Sequence, residues 1–357
     1  MTLDFPPFKL LYWILDNYEK VKYDLATSNM PPYVPDFSGK LEKANLAMGS
    51  LTGIEELKDA ISDLSGAGPE NILVTNGASE ANFLVCAALL SRGDDVLVER
   101  PFYEPLASVP KGLGSSVKFV DRKPIDFALD LATLEDSATP ATKLLVITNL
   151  HNPSGAQIPD DVMKDLSETA GEKGFHVHCD EIFMDFAHSP SRNAFSFGGR
   201  VISTVGLSKF YGTGGFRVGW ILAEEDILRR CRRVREHMAV TCCSFGEQAA
   251  VAVLREREEV KTRNRKILEG NSRTVVDWAR EEGIEMTPWA GANVCFPRLP
   301  LENTLDFCKH LLDREVLVPP GEFFGLAGHV RIGLGCESSV LQEGLRRVSV
   351  ALREFPA

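Results

Sequence analysis

The chain carries no CxxC pair, no apolar run approaching the length of a membrane span and no excess of basic residues, and each absence removes a class of function. Without a CxxC pair in a chain this long, its eight cysteines make neither a disulfide framework nor a zinc module. Cys86, Cys179, Cys295 and Cys308 lie in apolar runs, where small core residues belong. A net charge of −11 gives no field to hold a phosphate backbone, so no nucleic-acid partner is expected. The one basic cluster, Arg229, Arg230, Arg232, Arg233 and Arg235, reads as the solvated face of a helix whose other side holds Ile227, Leu228, Cys231 and Val234. Residues 1–7 lack the basic and apolar regions of a secretory signal, and nothing approaches a run of about 20 apolar residues. No membrane partner is expected, and a reducing, cytoplasmic location is.

What is present is the composition of an ordinary globular protein, with 357 residues enough for about two domains. Residues 8–19 and 53–62 have helical apolar spacing, while the prolines of Ser28-Asn29-Met30-Pro31-Pro32-Tyr33 force an extended loop between them. From residue 71 the rhythm changes. A strand over 71–75, a tight turn over 76–79, a helix over 80–91 and a strand over 95–98 form one βαβ unit. Small residues where that helix begins make a ready phosphate site, although plain capping by Ser79 explains them equally well. The glycine fingerprint of dinucleotide folds is absent from this turn, so a nicotinamide cofactor is not favoured.

Further strand-like runs at 143–148, 175–179, 201–205 and 217–223 continue the alternation. The pattern implies an α/β fold, a mostly parallel sheet sandwiched by helices, with function in the loops that follow the strands. Beyond residue 223, long amphipathic helices lead to strand-like runs at 289–298, 316–318 and 329–334, a smaller α+β unit. Its last helix opens on the capping-box pattern Ser339-Val-Leu-Gln342.

The loops after the strands carry the chemistry. Lys209 stands between an apolar run and a glycine-rich turn, with Arg217 opening the next run, so two cations converge from adjacent loop ends. Asn152-Pro-Ser-Gly155 follows one strand and Asp180-Glu181 the next. Alternation sends His176, His178 and Asp180 to one face of their strand, and Phe175, Val177 and Cys179 to the other. His178-Cys179-Asp180 also matches half of a non-haem iron triad, but a third ligand is missing; a buried carboxylate paired with a cationic ring nitrogen fits better, and no metal is expected.

A lysine amine, a carboxylate, an amide, an aromatic ring and a helix N-terminus with an arginine are the parts that a pyridoxal 5'-phosphate site requires. Their order resembles the class I/II aminotransferases of the fold type I pyridoxal-phosphate enzymes, from about residue 53 to the C-terminus. The matching pieces are Asn76-Gly-Ala-Ser-Glu-Ala81, Pro101-Phe-Tyr103, Asn152-Pro-Ser-Gly155, Asp180-Glu-Ile182, Ser208-Lys209 with Arg217-Val-Gly219, Pro320-Gly321 and Arg331-Ile332. The resemblance implies that Lys209 holds the cofactor as a Schiff base and moves the proton, and that Asp180 keeps the pyridine nitrogen protonated. It implies further that Asn152 donates to the ring's phenolic oxygen and that Tyr103 stacks on the ring. Gly77, Ala78 and Ser79, with Ser208 and Arg217, would hold the phosphate, and Arg331, beside Asn152, the substrate carboxylate. A homodimer follows from the same likeness, as does a division into an N-terminal segment (1–45) packing with the small domain, a large cofactor domain (46–258) and a small domain (259–357).

The departures are specific. Phe183 stands where a tyrosine is usual, so the ring oxygen loses a donor and the lysine-bound cofactor should hold its proton to higher pH; Met48 and Gly206 replace a common tyrosine and serine. The expected function is transfer of an amino group between an L-amino acid and a 2-oxo acid. A lyase, cyclase or oxidase on the same cofactor is the alternative. A non-catalytic regulator would need a DNA-binding or partner module, which this chain does not offer, and the retained Lys209 argues against it.

Overall fold

Seven short segments, all but the edge strand Ser116–Asp121 largely buried, hydrogen-bond into one sheet. They are β1 (Ile72–Thr75), β2 (Asp95–Arg100), β3 (Ser116–Asp121), β4 (Thr142–Thr148), β5 (His176–Asp180), β6 (Val201–Gly206) and β7 (Gly219–Leu222), in the order β1-β7-β6-β5-β4-β2-β3. All neighbours are parallel except β7, which runs against both β1 and β6. Parallel strands need helical crossovers, and helices such as Ala78–Leu89, Glu104–Gly112 and Asp160–Lys173 supply them. The computed structural model describes residues 3–39, 41–188 and 192–355.

The helix Arg257–Glu281 leads into a second layer of structure in which Val294–Cys295 pairs with Ile332–Gly333. The N-terminal segment joins this layer. Tyr23–Asp24 pairs in parallel with Val316–Leu317, and Trp13 Nε1 donates to the Val318 carbonyl at 3.1 Å. Leu25, fully buried, fills the space that the missing side chain of Gly344 leaves.

Four local expectations change. The edge strand β3 has only Val120 buried, so its weak apolar pattern hid it. The final helix, Ser338–Glu354, starts before Ser339 without a side-chain cap, and the Ser338 hydroxyl donates to Asn271 Oδ1 instead. Only Val294 and Cys295 of the run 289–298 become strand. Arg235 is not solvated: it is buried, donating to the Val74 carbonyl beneath the sheet's β1 edge.

A buried ion pair fixes the strand ends that face the site. Glu99 at the end of β2 accepts from Arg122 Nε at 2.7 Å, and its other oxygen accepts from the Thr148 amide (2.7 Å) and hydroxyl (2.6 Å) at the end of β4. Arg122 also donates to the carbonyls of Phe127 (2.8 Å) and Thr148 (3.1 Å). Burial pushes the Glu99 carboxyl upward despite these partners, so desolvation outweighs the pairing for this group. Removing one member should therefore cost more than the pair contributes. Arg122→Met is expected to lower unfolding free energy by about 3–5 kcal/mol in urea titrations, with Glu99→Gln restoring part of it in the double variant. A loss below about 1 kcal/mol, the range of an exposed pair, would contradict this reading.

Candidate active site

A cavity of about 270 Å³ opens at the carboxyl ends of β4, β5 and β6, where loops from separate crossovers meet. Its wall includes Ala78, Ser79, Tyr103, Asn152, Asp180, Phe183, Ser208, Lys209 and Arg217. Gly77 and Arg331 stand immediately behind it, in contact with Arg217 and Asn152 respectively. The structure thus brings together every site residue expected from the sequence.

Lys209 faces the cavity, where its amine donates to Asn29 Oδ1 at 2.8 Å and Ser28 Oγ at 3.1 Å. Removal from bulk water lowers its pKa to about 8, Arg331 adds to the effect, and Asp180 opposes it. Asp180 is buried at the end of β5, its oxygens accepting from Asn82 Nδ2 (2.7 Å) and the Ile182 amide (3.0 Å). Burial raises its pKa to about 6, against the pull of those two donors and of Lys209. Two groups of opposite charge thus share one enclosed space, each with its charged form made costly.

The phosphate end is built from backbone. Gly77 is the N-cap of the helix Ala78–Leu89, at φ 89°, with no side-chain cap; Ser79 lies inside the first turn and does not cap it. The first N–H groups of that turn have no carbonyl partner within the helix. A Cβ on Gly77 would lie 2.7 Å from Arg217 Nη2, so glycine is needed both for the left-handed turn and for the arginine's approach. Arg217 is held there by the carbonyls of Asn76 (3.1 Å) and Gly214 (3.2 Å). A Cβ at Gly206 would meet Ala78 at 3.2 Å, a tight contact that a serine there would have to relieve by a small shift of the helix start. Free N–H groups, a guanidinium and the Ser208 hydroxyl fit a phosphate.

At the other end, Arg331 is buried, donating to Asn152 Oδ1 (3.1 Å) and the Ala26 carbonyl (2.8 Å), while its Nε has no partner. Desolvation lowers it to about 10. The backbone N–H of Asn152 donates to Thr148 Oγ1 at 3.0 Å and so ties the loop to the Glu99 pair. Tyr103 packs edge-on to Phe8, and Phe183, fully buried against Phe186, offers no donor.

Sequence reasoning missed Asn82, Ser28, Asn29 and Thr148 in the wall. Asn82 had a signal: it is the lone amide in the otherwise apolar helical run 81–89. His178 Nε2 is engaged by Asn82 (3.1 Å) and Thr204 (3.0 Å), and among the described residues no cluster of three or more metal-ligating side chains forms.

The Asp180 shift makes a prediction for cofactor-free protein. A carboxyl raised from 3.8 to about 6 contributes stability that is complete below the unfolded value and lost as pH rises through about 6. Asp180→Asn should therefore melt higher than wild type near neutral pH, with the advantage gone near pH 4, in melts across that range. A wild type at least as stable as the variant at neutral pH would contradict it.

The profile of the family described as aminotransferase class I and II matches residues 40–348. The chain is 30% identical to capreomycidine synthase of Streptomyces vinaceus over 97% of this chain and 94% of that one. It is 28% identical to an aspartate aminotransferase of Sulfolobus acidocaldarius, covering 87% and 83%. Among solved structures, a pyridoxal-phosphate-dependent aminotransferase from Streptococcus suis superposes with a TM-score of 0.91 at 30% identity over the whole of both chains. Aspartate aminotransferase of Thermus thermophilus, at 21% identity and 97% coverage of each, shares the fold with a TM-score of 0.91. The chain belongs to the class I and II aminotransferase family, the fold type I enzymes that depend on pyridoxal phosphate.

Proposed function

We propose that this enzyme moves an amino group between an L-amino acid and a 2-oxo acid, with Lys209 as the amine that carries the cofactor as a Schiff base. The observation that carries the reading is Lys209, lowered to about 8, sharing an enclosed cavity with the buried Asp180. Pyridoxal phosphate, when bound, supplies a carbonyl that captures amines and a ring that withdraws electrons from the carbon losing its proton. Lys209 can take and return a proton at Nζ near neutral pH, as acid–base work requires. Asp180 would hold the proton on the ring nitrogen, and Asn152 would donate to the ring oxygen from the amide nitrogen that Arg331 leaves free. Tyr103 would pack on the ring. Gly77, Ala78, Ser79, Ser208 and Arg217 would hold the phosphate, and Arg331 the α-carboxylate, orienting the bond to be broken.

A homodimer is part of the proposal. Leu46, Met48, Leu51, Met238, Val240 and Phe245 are exposed, and the two segments that carry them join through the Cys242 amide and the Ser50 carbonyl. Such a patch suits a second copy of the chain. The division into residues 1–45, 46–258 and 259–357 is supported by the pairing of Tyr23–Asp24 with the C-terminal layer. A cytoplasmic location is supported by eight unpaired cysteines. No helix among the described residues is long and apolar enough to cross a membrane.

A second reading, a lyase, cyclase or oxidase on the same cofactor, has support from Phe183 and from the likeness to capreomycidine synthase. One assay separates them. Transamination predicts that candidate amino acids convert the cofactor's absorbance to the pyridoxamine form and that a 2-oxo acid restores it. Arg331→Leu should raise KM for the amino acid by about a hundredfold, the roughly 3 kcal/mol of a charged hydrogen-bonded contact. Substrate consumption without the pyridoxamine form would favour the second reading.

A further inference from the structure

Beyond the lysine and the aspartate, one buried side chain touches Asp180 directly: Asn82 Nδ2 donates to its carboxylate at 2.7 Å. We propose that Asn82 is a positioning residue for Asp180, its amide holding the carboxylate charged and aimed at the cavity, with Thr204 and His178 pairing with the amide oxygen in that orientation. The inference rests on the pyridoxal-phosphate reading above, because it concerns the group that Asp180 would face.

The geometry is closed on every side. Asp180 and His178 share one face of β5, Thr204 lies beside Asp180 on β6, and Asn82 reaches down from the helix Ala78–Leu89. All four are buried. Asn82 Nδ2 donates to Asp180 Oδ2 at 2.7 Å, while Asn82 Oδ1 accepts from the Thr204 hydroxyl at 2.6 Å and from His178 Nε2 at 3.1 Å.

The direction of the amide follows from its neighbours. Burial drives the His178 pKa down to about 3, so the ring is neutral, and its Nδ1 has no partner. With the Asn82 oxygen facing the ring, the imidazole proton belongs on Nε2, which then donates to Asn82 Oδ1 and Thr204 Oγ1 together. Turning the amide over would set its oxygen against the carboxylate, which only accepts, leaving two buried oxygens without a donor between them. Thr204 and His178 satisfy the amide oxygen in the orientation that aims its NH2 at Asp180. The other donor to this carboxylate is the Ile182 amide, and Lys209 is the cation that faces it across the cavity; Tyr103 and Glu181 lie close enough to feel its charge. Losing Asn82 removes the one neutral side-chain donor from that set.

The helix adds a mechanical link. Its N-terminus forms the phosphate cradle and its next turn carries Asn82, so one rigid element sets both the cradle and the carboxylate.

The test loads wild type, Asn82→Leu and Thr204→Val with pyridoxal phosphate labelled with nitrogen-15 in the ring and follows the ring nitrogen's shift against pH by NMR. Wild type should keep the ring nitrogen protonated through neutral pH. In Asn82→Leu the pH at which that proton is lost should fall by about one unit or more, a tenfold loss of proton affinity. Thr204→Val, which keeps the donor but frees the amide, should shift in the same direction by less. An unchanged titration in a folded Asn82→Leu overturns the inference and leaves the functional reading standing. If Asn82→Leu does not fold, an unchanged Thr204→Val titration overturns it. Wild type that fails to bind the cofactor overturns both.

Discussion

The site depends on placing a buried carboxylate and a half-buried amine in one cavity. Desolvation penalises the charged form of each, raising Asp180 to about 6 and lowering Lys209 to about 8, so both groups titrate close to neutrality. Each charge is tolerable because the other faces it. The parallel sheet makes this arrangement possible: β5 ends at Asp180, the loop after β6 carries Lys209, and their carboxyl ends lie side by side. An antiparallel arrangement of those strands would send the two groups to opposite edges.

The surrounding polar groups are organised so that few buried donors are wasted. Glu99 and Arg122 tie the ends of β2 and β4, Thr148 passes that constraint to Asn152, and Asn152 meets Arg331. A second chain runs from Thr204 and His178 through Asn82 to Asp180. Both chains cost desolvation and give direction in return, since a buried amide or guanidinium has few orientations that satisfy it. The groups left incomplete are informative: the Arg331 Nε and the first N–H groups after Gly77 are where anions would complete the hydrogen bonding.

Much of this was legible in the chain because strand ends and the loops after them are contiguous segments. Asp180, Lys209, Asn152 and Arg217 each sit within a few residues of an apolar run, so spacing marked them as candidates and the family resemblance gave them roles. What escaped was made by tertiary packing. Asn82 meets Asp180 across 98 residues and Ser28 meets Lys209 across 181, separations that no local pattern records. Edge strand β3 escaped because one of its faces is open to solvent. Ser79 and Ser339 read as caps because their residue type permits it, yet at neither helix start does a side chain cap the turn. Arg235 shows the same limit in reverse: a cluster of arginines on one helix still placed one of its members in the core.

The central claim is that Lys209 is the amine that carries the cofactor. Reduction of the protein with borohydride after incubation with pyridoxal phosphate, followed by peptide mapping, tests it directly. The account predicts one stable pyridoxyl adduct, on the peptide containing Lys209, and its loss in Lys209→Ala. An adduct spread over surface lysines, or none on Lys209, would contradict it.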